Sequence, residues 1–331
     1  MEETDAARTV KSREETTSRE EAGTGEEDGP TPVVFATDVG SDVDDTWALA
    51  QLLRTPGLET GLVLTETGDA AYRASIAARL LERAGRTDVP VGLGVDQAMD
   101  EDRRTQAPWV AAYDLDAYPG VVHDDGVDAL RRLVRDAEEP VVVVSVGPTP
   151  TLAAAVEREP DLAGRCRFVG MHGSFDEGYD GGDPDPEYNV ADDPAALRTV
   201  LSAPWRDVLL TPLDTCGHVH LTGERFHEVW RATDDPLVRG VVENSCLFAA
   251  LADWAGYDDF TRRSSTLYDC VAVYLAHDES LVETERLRFD VTDDGYTAVD
   301  PEGAFAARVA LRWRDLDAFE ALLTDTLLER R

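Results

Sequence analysis

The chain has 331 residues, 67 of them acidic and 31 basic, for a formal net charge of −36. Such an excess of negative charge argues against nucleic-acid polymers and anionic membranes as partners, since both would repel it. Hydrophobic residues make up 43%, enough for one sizeable core, and no apolar run reaches the length of about 18 residues that marks a spanning helix.

Lys11 is the sole lysine, and every other basic residue is arginine. Low lysine with abundant carboxylates fits a protein of concentrated salt, where charge is screened and hydrated carboxylates maintain solubility. A GC-rich genome favours arginine over lysine but does not explain the acidic excess. A halophilic archaeal cytosol is therefore the expected setting. Cys166, Cys216, Cys246 and Cys270 lie far apart and form no CxxC pair, so they read as reduced residues, not a zinc site or a disulfide framework. The N-terminus shows no hydrophobic signal-peptide core, which makes a cytoplasmic location the expectation.

In chain order, residues 1–31 lack aromatic residues and are expected to form a disordered acidic tail. Residues 32–331 are expected to form one folded domain. The β-branched and aromatic run Val33-Val34-Phe35 leads into Asp38, Asp42, Asp44 and Asp45, four carboxylates within eight residues. A helical pattern follows from Thr46 to Leu53. The acids thus sit between a buried strand and a helix, at the sheet edge where open α/β sheets bind ligands. Four like charges repel unless a cation neutralises them, and carboxylate oxygens suit Ca²⁺ or Mg²⁺ better than zinc. In so acidic a chain, a solvated turn is the competing reading. An EF-hand fails because a strand precedes the loop and its twelfth position, counted from Asp38, is Leu49. A phosphatase of the Asp-x-Asp type fails at Gly40.

Further apolar runs fall at 61–65, 89–93, 141–145, 167–171 and 208–211, with helical patterns at 72–82 and 127–135 between them. This alternation predicts an α/β fold, an open and largely parallel Rossmann-like sheet with helices on both faces. An alternating segment at 282–299, broken by Asp293-Asp294-Gly295, predicts a hairpin. A strand is expected at 305–313 and a last amphipathic helix at 316–328.

Four segments in order resemble the nucleoside hydrolase family. They are the Asp-x-Gly-x-Asp-x-Asp-Asp run from Asp38, the strand and Gly147-Pro148 turn, the pair of Met171-His172-Gly173-Ser174 and Glu187-Tyr188-Asn189, and Leu267-Tyr268-Asp269-Cys270. The resemblance covers roughly residues 32–277 and implies the nucleoside hydrolase fold, with calcium-dependent cleavage of an N-glycosidic bond. Carried over residue by residue, it makes Asp38, Asp45, Asp269 and the Val146 carbonyl metal ligands. By the same resemblance Asp38 would also be the base. Asp44, Asp42, Asp69, Met171, Glu187 and Asn189 would bind substrate, a small nucleoside. A homodimer or homotetramer is the expected assembly. Where relatives place a histidine before the last metal-ligand aspartate, this chain has Tyr268, the candidate leaving-group acid. A phenol is an intrinsically different acid, with an unperturbed pKa near 10.

Each of these residues has a plainer reading. Asp269 and Asp193 are suited to helix starts, Asp214 to orienting a loop, and His172 to a structural role. Two other functions stay open: hydrolysis of another N-ribosyl or glycosyl compound, and metal-dependent sugar or nucleoside binding without catalysis. A phosphohydrolase is a further alternative.

Overall fold

The first strand, β1 (Thr31–Thr37), shows why this sequence builds a doubly covered sheet. Val33 and Phe35 point into one core and Val34 and Ala36 into the other, so a continuous apolar run is buried on both faces. The computed structural model describes residues 29–255 and 260–330. The expected N-terminal tail lies outside the described residues up to residue 28, and β1 takes in Thr31, which the sequence assigns to that tail.

The remaining strands are β2 (Leu58–Thr65), β3 (Val91–Gly92), β4 (Val122–His123), β5 (Val141–Ser145), β6 (Cys166–Met171), β7 (Asp207–Thr211), β8 (Val282–Val291), β9 (Thr297–Val299) and β10 (Phe305–Trp313). Helices α1 (Asp44–Arg54), α2 (Ala70–Arg83), α3 (Ala107–Val110), α4 (Gly126–Asp136), α5 (Pro150–Arg158) and α6 (Tyr188–Asp192) occupy the first part. They are followed by α7 (Pro194–Leu201), α8 (Leu213–Cys216), α9 (Gly223–Arg231), α10 (Pro236–Leu251), α11 (Tyr268–Leu275) and α12 (Leu316–Leu327).

Among the described residues, ten strands form one sheet in the order β4-β3-β2-β1-β5-β6-β7-β10-β8-β9. Pairings from β4 through to β10 are parallel, whereas β10–β8 and β8–β9 are antiparallel. The strand order reverses between β1 and β5, a topological switch point that opens a crevice at their carboxyl ends. Helices α1, α2, α10, α11 and α12 cover one face through Trp47, Ile76, Val241, Val271 and Phe319. Helices α4, α5 and α7 cover the other through Leu130, Leu152 and Leu197.

The predicted hairpin appears as β8 and β9, and the last strand and helix fall where the pattern puts them. The run at 89–93 is trimmed to Val91–Gly92, because Pro90 has no N–H to contribute to a ladder. Helices α8 to α10 have no counterpart among the elements predicted from sequence.

Candidate active site

The acidic turn after β1 is locked by its neighbours. Gly40 has φ 114°, and a Cβ there would lie 2.7 Å from the Tyr72 ring, so only glycine fits. The Tyr72 hydroxyl donates to the Gly40 carbonyl at 2.9 Å. Arg73, fully buried in α2, donates to the carbonyls of Thr67 (2.6 Å), Val39 (3.1 Å) and Asp38, and to the Ser41 hydroxyl (3.2 Å). Its guanidinium also lies 3.7 Å from the Asp38 carboxylate.

Asp44 and Asp45 open α1, and Asp269 lies in the first turn of α11, where helix N-termini partly offset negative charge. Carboxylate oxygens of Asp44, Asp45 and Asp269 lie within 4.8 Å of one another. Asp44 also accepts from the Asp269 N–H at 3.3 Å, and Thr37 donates its hydroxyl to Asp45. Asp269 therefore does not act as the capping residue of α11, whose N-cap is Leu267. Asp44, expected as a sugar contact, belongs to this trio, whereas Asp38 lies outside it, though on the same cavity.

That cavity has a volume of about 460 Å³ and sits at the switch point. Its walls include Asp38, Asp42, Asp44, Asp45, Val146, Met171, Glu187, Asn189, Tyr268 and Asp269, ten of the eleven residues singled out from sequence. Asn189 donates its side-chain amide to the Met171 carbonyl at 3.0 Å and to the Val146 carbonyl at 3.4 Å, joining the ends of β5 and β6. Glu187 caps α6, accepting from Asn189 N–H at 2.7 Å and Gly173 N–H at 3.0 Å. Tyr268 meets Tyr179 edge to face, with ring centroids 6.4 Å apart.

Asp69 is the exception. It caps α2 through the Tyr72 N–H at 2.8 Å and pairs with Arg104 at 2.6 Å, on a separate cavity. The structure does not bring Asp69, expected as a sugar contact, to the cavity of the other ten: both its carboxylate oxygens are engaged, one by the Tyr72 N–H and one by Arg104. The plainer readings hold elsewhere. Asp214 accepts from the Phe175 and Asp176 N–H groups at 2.9 and 2.7 Å, and Asp193 caps α7. His172 is buried and bonds through Nε2 to the Gly147 carbonyl at 3.1 Å, and burial pushes its pKa down to about 4.

Several cavity residues receive no role from the sequence: Arg103, Tyr179 and Trp254, and Tyr188, which enters only as the middle of the Glu187-Tyr188-Asn189 motif. Their one local signal is aromatic side chains in otherwise acidic, glycine-rich connections. Arg73 escapes for another reason, because it sits in the middle of a helical pattern. Glu66, buried after β2, accepts from the Thr151 and Leu152 N–H groups at 2.7 and 3.1 Å and so anchors the start of α5.

Burial is the main force on the acids. It raises Asp38, and it raises Asp44, Asp45 and Asp269 well above the usual carboxylate range, with repulsion among neighbouring aspartates adding to it. Asp42 is pushed up to about 6 and Glu187 to about 7, again chiefly by burial. A buried set of oxygen donors carrying like charge fits a hard divalent cation.

Residues 33–321 match the family model described as inosine-uridine preferring nucleoside hydrolase. The chain belongs to that family. The pyrimidine-specific ribonucleoside hydrolase RihA of Citrobacter koseri is 25% identical over 277 residues, which cover 80% of this chain and 86% of the relative. The non-specific ribonucleoside hydrolase RihC of Klebsiella pneumoniae is 26% identical over 201 residues, or 58% of this chain, and the match spans 64% of the relative's length. A plant nucleoside hydrolase superposes with a TM-score of 0.74 at 22% identity, covering 90% of this chain and 99% of its own. The inosine-uridine preferring nucleoside hydrolase of Bacillus anthracis gives 0.71 at 19% identity, with the same coverage. At these identities the structures share the fold.

Proposed function

We propose that this chain is a calcium-dependent nucleoside hydrolase that releases a free base and ribose. The observation that carries the reading is one cavity, at the sheet's switch point, that gathers carboxylates from the turn after β1, from α1 and from α11 together with Glu187 and Asn189. Asp38, Asp45, Asp269 and the Val146 carbonyl would hold calcium, with Asp44 close enough to join them. When bound, the ion lowers the pKa of water and grips sugar hydroxyls.

The chain's own residues do the rest. The Asp38 carboxylate takes the proton of the attacking water. Asp42, Asp44, Glu187 and Asn189 position ribose through its hydroxyls, with the Met171 main chain beside them. Buried negative charge beneath the sugar favours the positive charge that develops on its ring. Tyr268 reaches the base side and donates its hydroxyl to the leaving group. Arg73 holds the Asp38 turn in place and keeps the base of the reaction aimed into the cavity.

The charge of −36 supports a setting in concentrated salt, the cytoplasm of a halophilic archaeon, where the enzyme would act as a homodimer or homotetramer. The test is base release from inosine and uridine in high salt, with calcium or with chelator. Equal amounts of free base and ribose, lost on chelation and restored by calcium, are expected. No base release by folded protein in calcium, or phosphate release from a nucleotide instead, would overturn the reading.

A further inference from the structure

The cavity has a wall that the hydrolytic reading above leaves without a task. Arg103 ends the short 3-10 turn Glu101–Arg103, and its guanidinium carbon lies 4.2 Å from the Trp254 ring centroid and 5.1 Å from that of Tyr188. All three side chains line the cavity. Among the described residues that line it, Arg103 is the single cation; no hydrogen bond or close ion pair of its guanidinium is found among them, and it acts on Asp38, Asp42 and Asp192 through charge at longer range.

The flanking residues explain why it is held there. Arg104 pairs with Asp69 at 2.6 Å and covers the Tyr72 ring at 4.7 Å. Thr105 donates to the Ser41 carbonyl at 2.7 Å, and Gln106 donates its side-chain amide to the Asp42 carbonyl at 2.8 Å. Trp254 donates its indole N–H to the Asp102 carbonyl at 3.3 Å. The segment is thus tied to the acidic turn by the residues after Arg103, while Arg103 itself faces the cavity between two aromatic rings. An arginine stacked on aromatic rings keeps its charge and its donors, and a guanidinium has donors only.

We infer that Arg103 is the residue that receives the negative charge of the departing base. The inference rests on the hydrolase reading and adds the base half to it. Water oxygen bonds to C1′ of the sugar, and a water proton goes to the Asp38 carboxylate. The C1′–N bond breaks with its electron pair on the base nitrogen. The base leaves as an anion opposite a fixed cation, accepting a hydrogen bond from the Tyr268 hydroxyl, which keeps its own proton, and takes a proton from bulk water after release. Trp254, 40% exposed, and Tyr188 stack on the guanidinium and hold it in place, so the charge stands ready before the bond breaks.

Arg103→Met keeps a long apolar side chain between the rings and removes only the charge, and Arg103→Lys restores a charge without the fork. Both are compared with the unaltered full chain in high salt with calcium, on inosine, uridine and a nitrophenyl riboside. The last has a leaving group that departs as a stable anion without help. Arg103→Met should lower kcat for the nucleosides by about 10²-fold while changing the nitrophenyl riboside by less than about threefold, in line with removal of one preorganised charge-stabilising group. Arg103→Lys should recover at least about a tenth of the lost rate on nucleosides. Equal loss on all substrates, loss confined to KM, or no loss at all would overturn the inference. The unaltered chain's cleavage of the nitrophenyl riboside tests the hydrolase reading separately: if it cleaves none of the three, both readings fall together, and if it cleaves them, only the outcome for the variants decides on Arg103.

Discussion

Removing calcium should make the stability of this chain fall as pH rises, and restoring calcium should flatten that slope. Oxygens of Asp44, Asp45 and Asp269 lie within 4.8 Å of one another, so at an effective dielectric of about 20 each ionised pair repels by about 3.5 kcal/mol. Without a cation the folded chain relieves this by keeping protons, and burial with mutual repulsion pushes all three acids well above their usual value of 3.8. The sign follows from linkage. Below the usual value the acids are protonated in both states, and no penalty arises. Above it the unfolded chain releases its protons while the folded chain retains them, so stability drops until the raised folded value is passed. One such group costs about 1.4 kcal/mol for each pH unit between its usual and its raised value. At about 2 °C per kcal/mol for a chain of this size, Tm should fall by about 3 °C per pH unit for each group in its window. Circular dichroism melts in high salt, with chelator or with saturating calcium, measure this directly. Groups away from the cluster, such as Glu66 with its burial-raised value of about 8, titrate in both arms and cancel in the difference. Identical pH slopes in the two arms would refute the metal assignment.

Salt should stabilise the fold, because a net charge of −36 is self-repulsive when the screening length is about 30 Å, near 0.01 M salt, and far less so at about 3 Å, near 1 M; equal Tm values at those two salt concentrations would contradict this. Asp38→Ala should slow base release by about 10³-fold and Asp42→Ala by about tenfold, since in the proposed mechanism the first would remove the base and the second a sugar contact. Steady-state rates on inosine giving the reverse order would reject the assignment of Asp38. Tyr268→Phe should slow natural nucleosides by about 10²-fold and leave a nitrophenyl riboside nearly unchanged if its hydroxyl helps the leaving group. Equal slowing of both would point to a disturbed metal or sugar site instead.

Much of the fold can be read in one sequence because its determinants are local. Val141–Ser145 is a run of β-branched residues bounded by turn formers, and it becomes β5 with the same bounds. Phe305–Trp313 alternates and becomes β10 likewise. Helices α8 to α10 are less visible for a physical reason. Helix α10 buries one face centred on Leu237, Val241, Asn244 and Phe248, but Cys246, Ala250 and the exposed Leu251 are apolar residues beyond it, so no single stripe stands out in the sequence. Edge strand β4 is two residues long, and only its pairing with β3 identifies it.

The two halves of the site differ in the same way. The carboxylate half stands on strand ends and helix starts, where the acids from Asp38 to Asp45 are neighbours along the chain and their crowding follows from residue order alone. The base half is assembled across distance. Arg103 takes its position from contacts of its neighbours with Asp69, Ser41 and Asp42, and its stacking partners come from Tyr188 and Trp254. Nothing local separates Arg103 from the many arginines that lie in surface ion pairs, and nothing local tells that Asp69 is claimed by Arg104, 35 residues away. A loop residue that owes its position to such contacts can change partners when a connection changes, without disturbing β1, α1 or α11. Substitution of Arg103, whose guanidinium makes none of these ties, should therefore slow release of natural bases while leaving metal and sugar binding in place, which is the separation that the comparison of nucleosides with a nitrophenyl riboside detects.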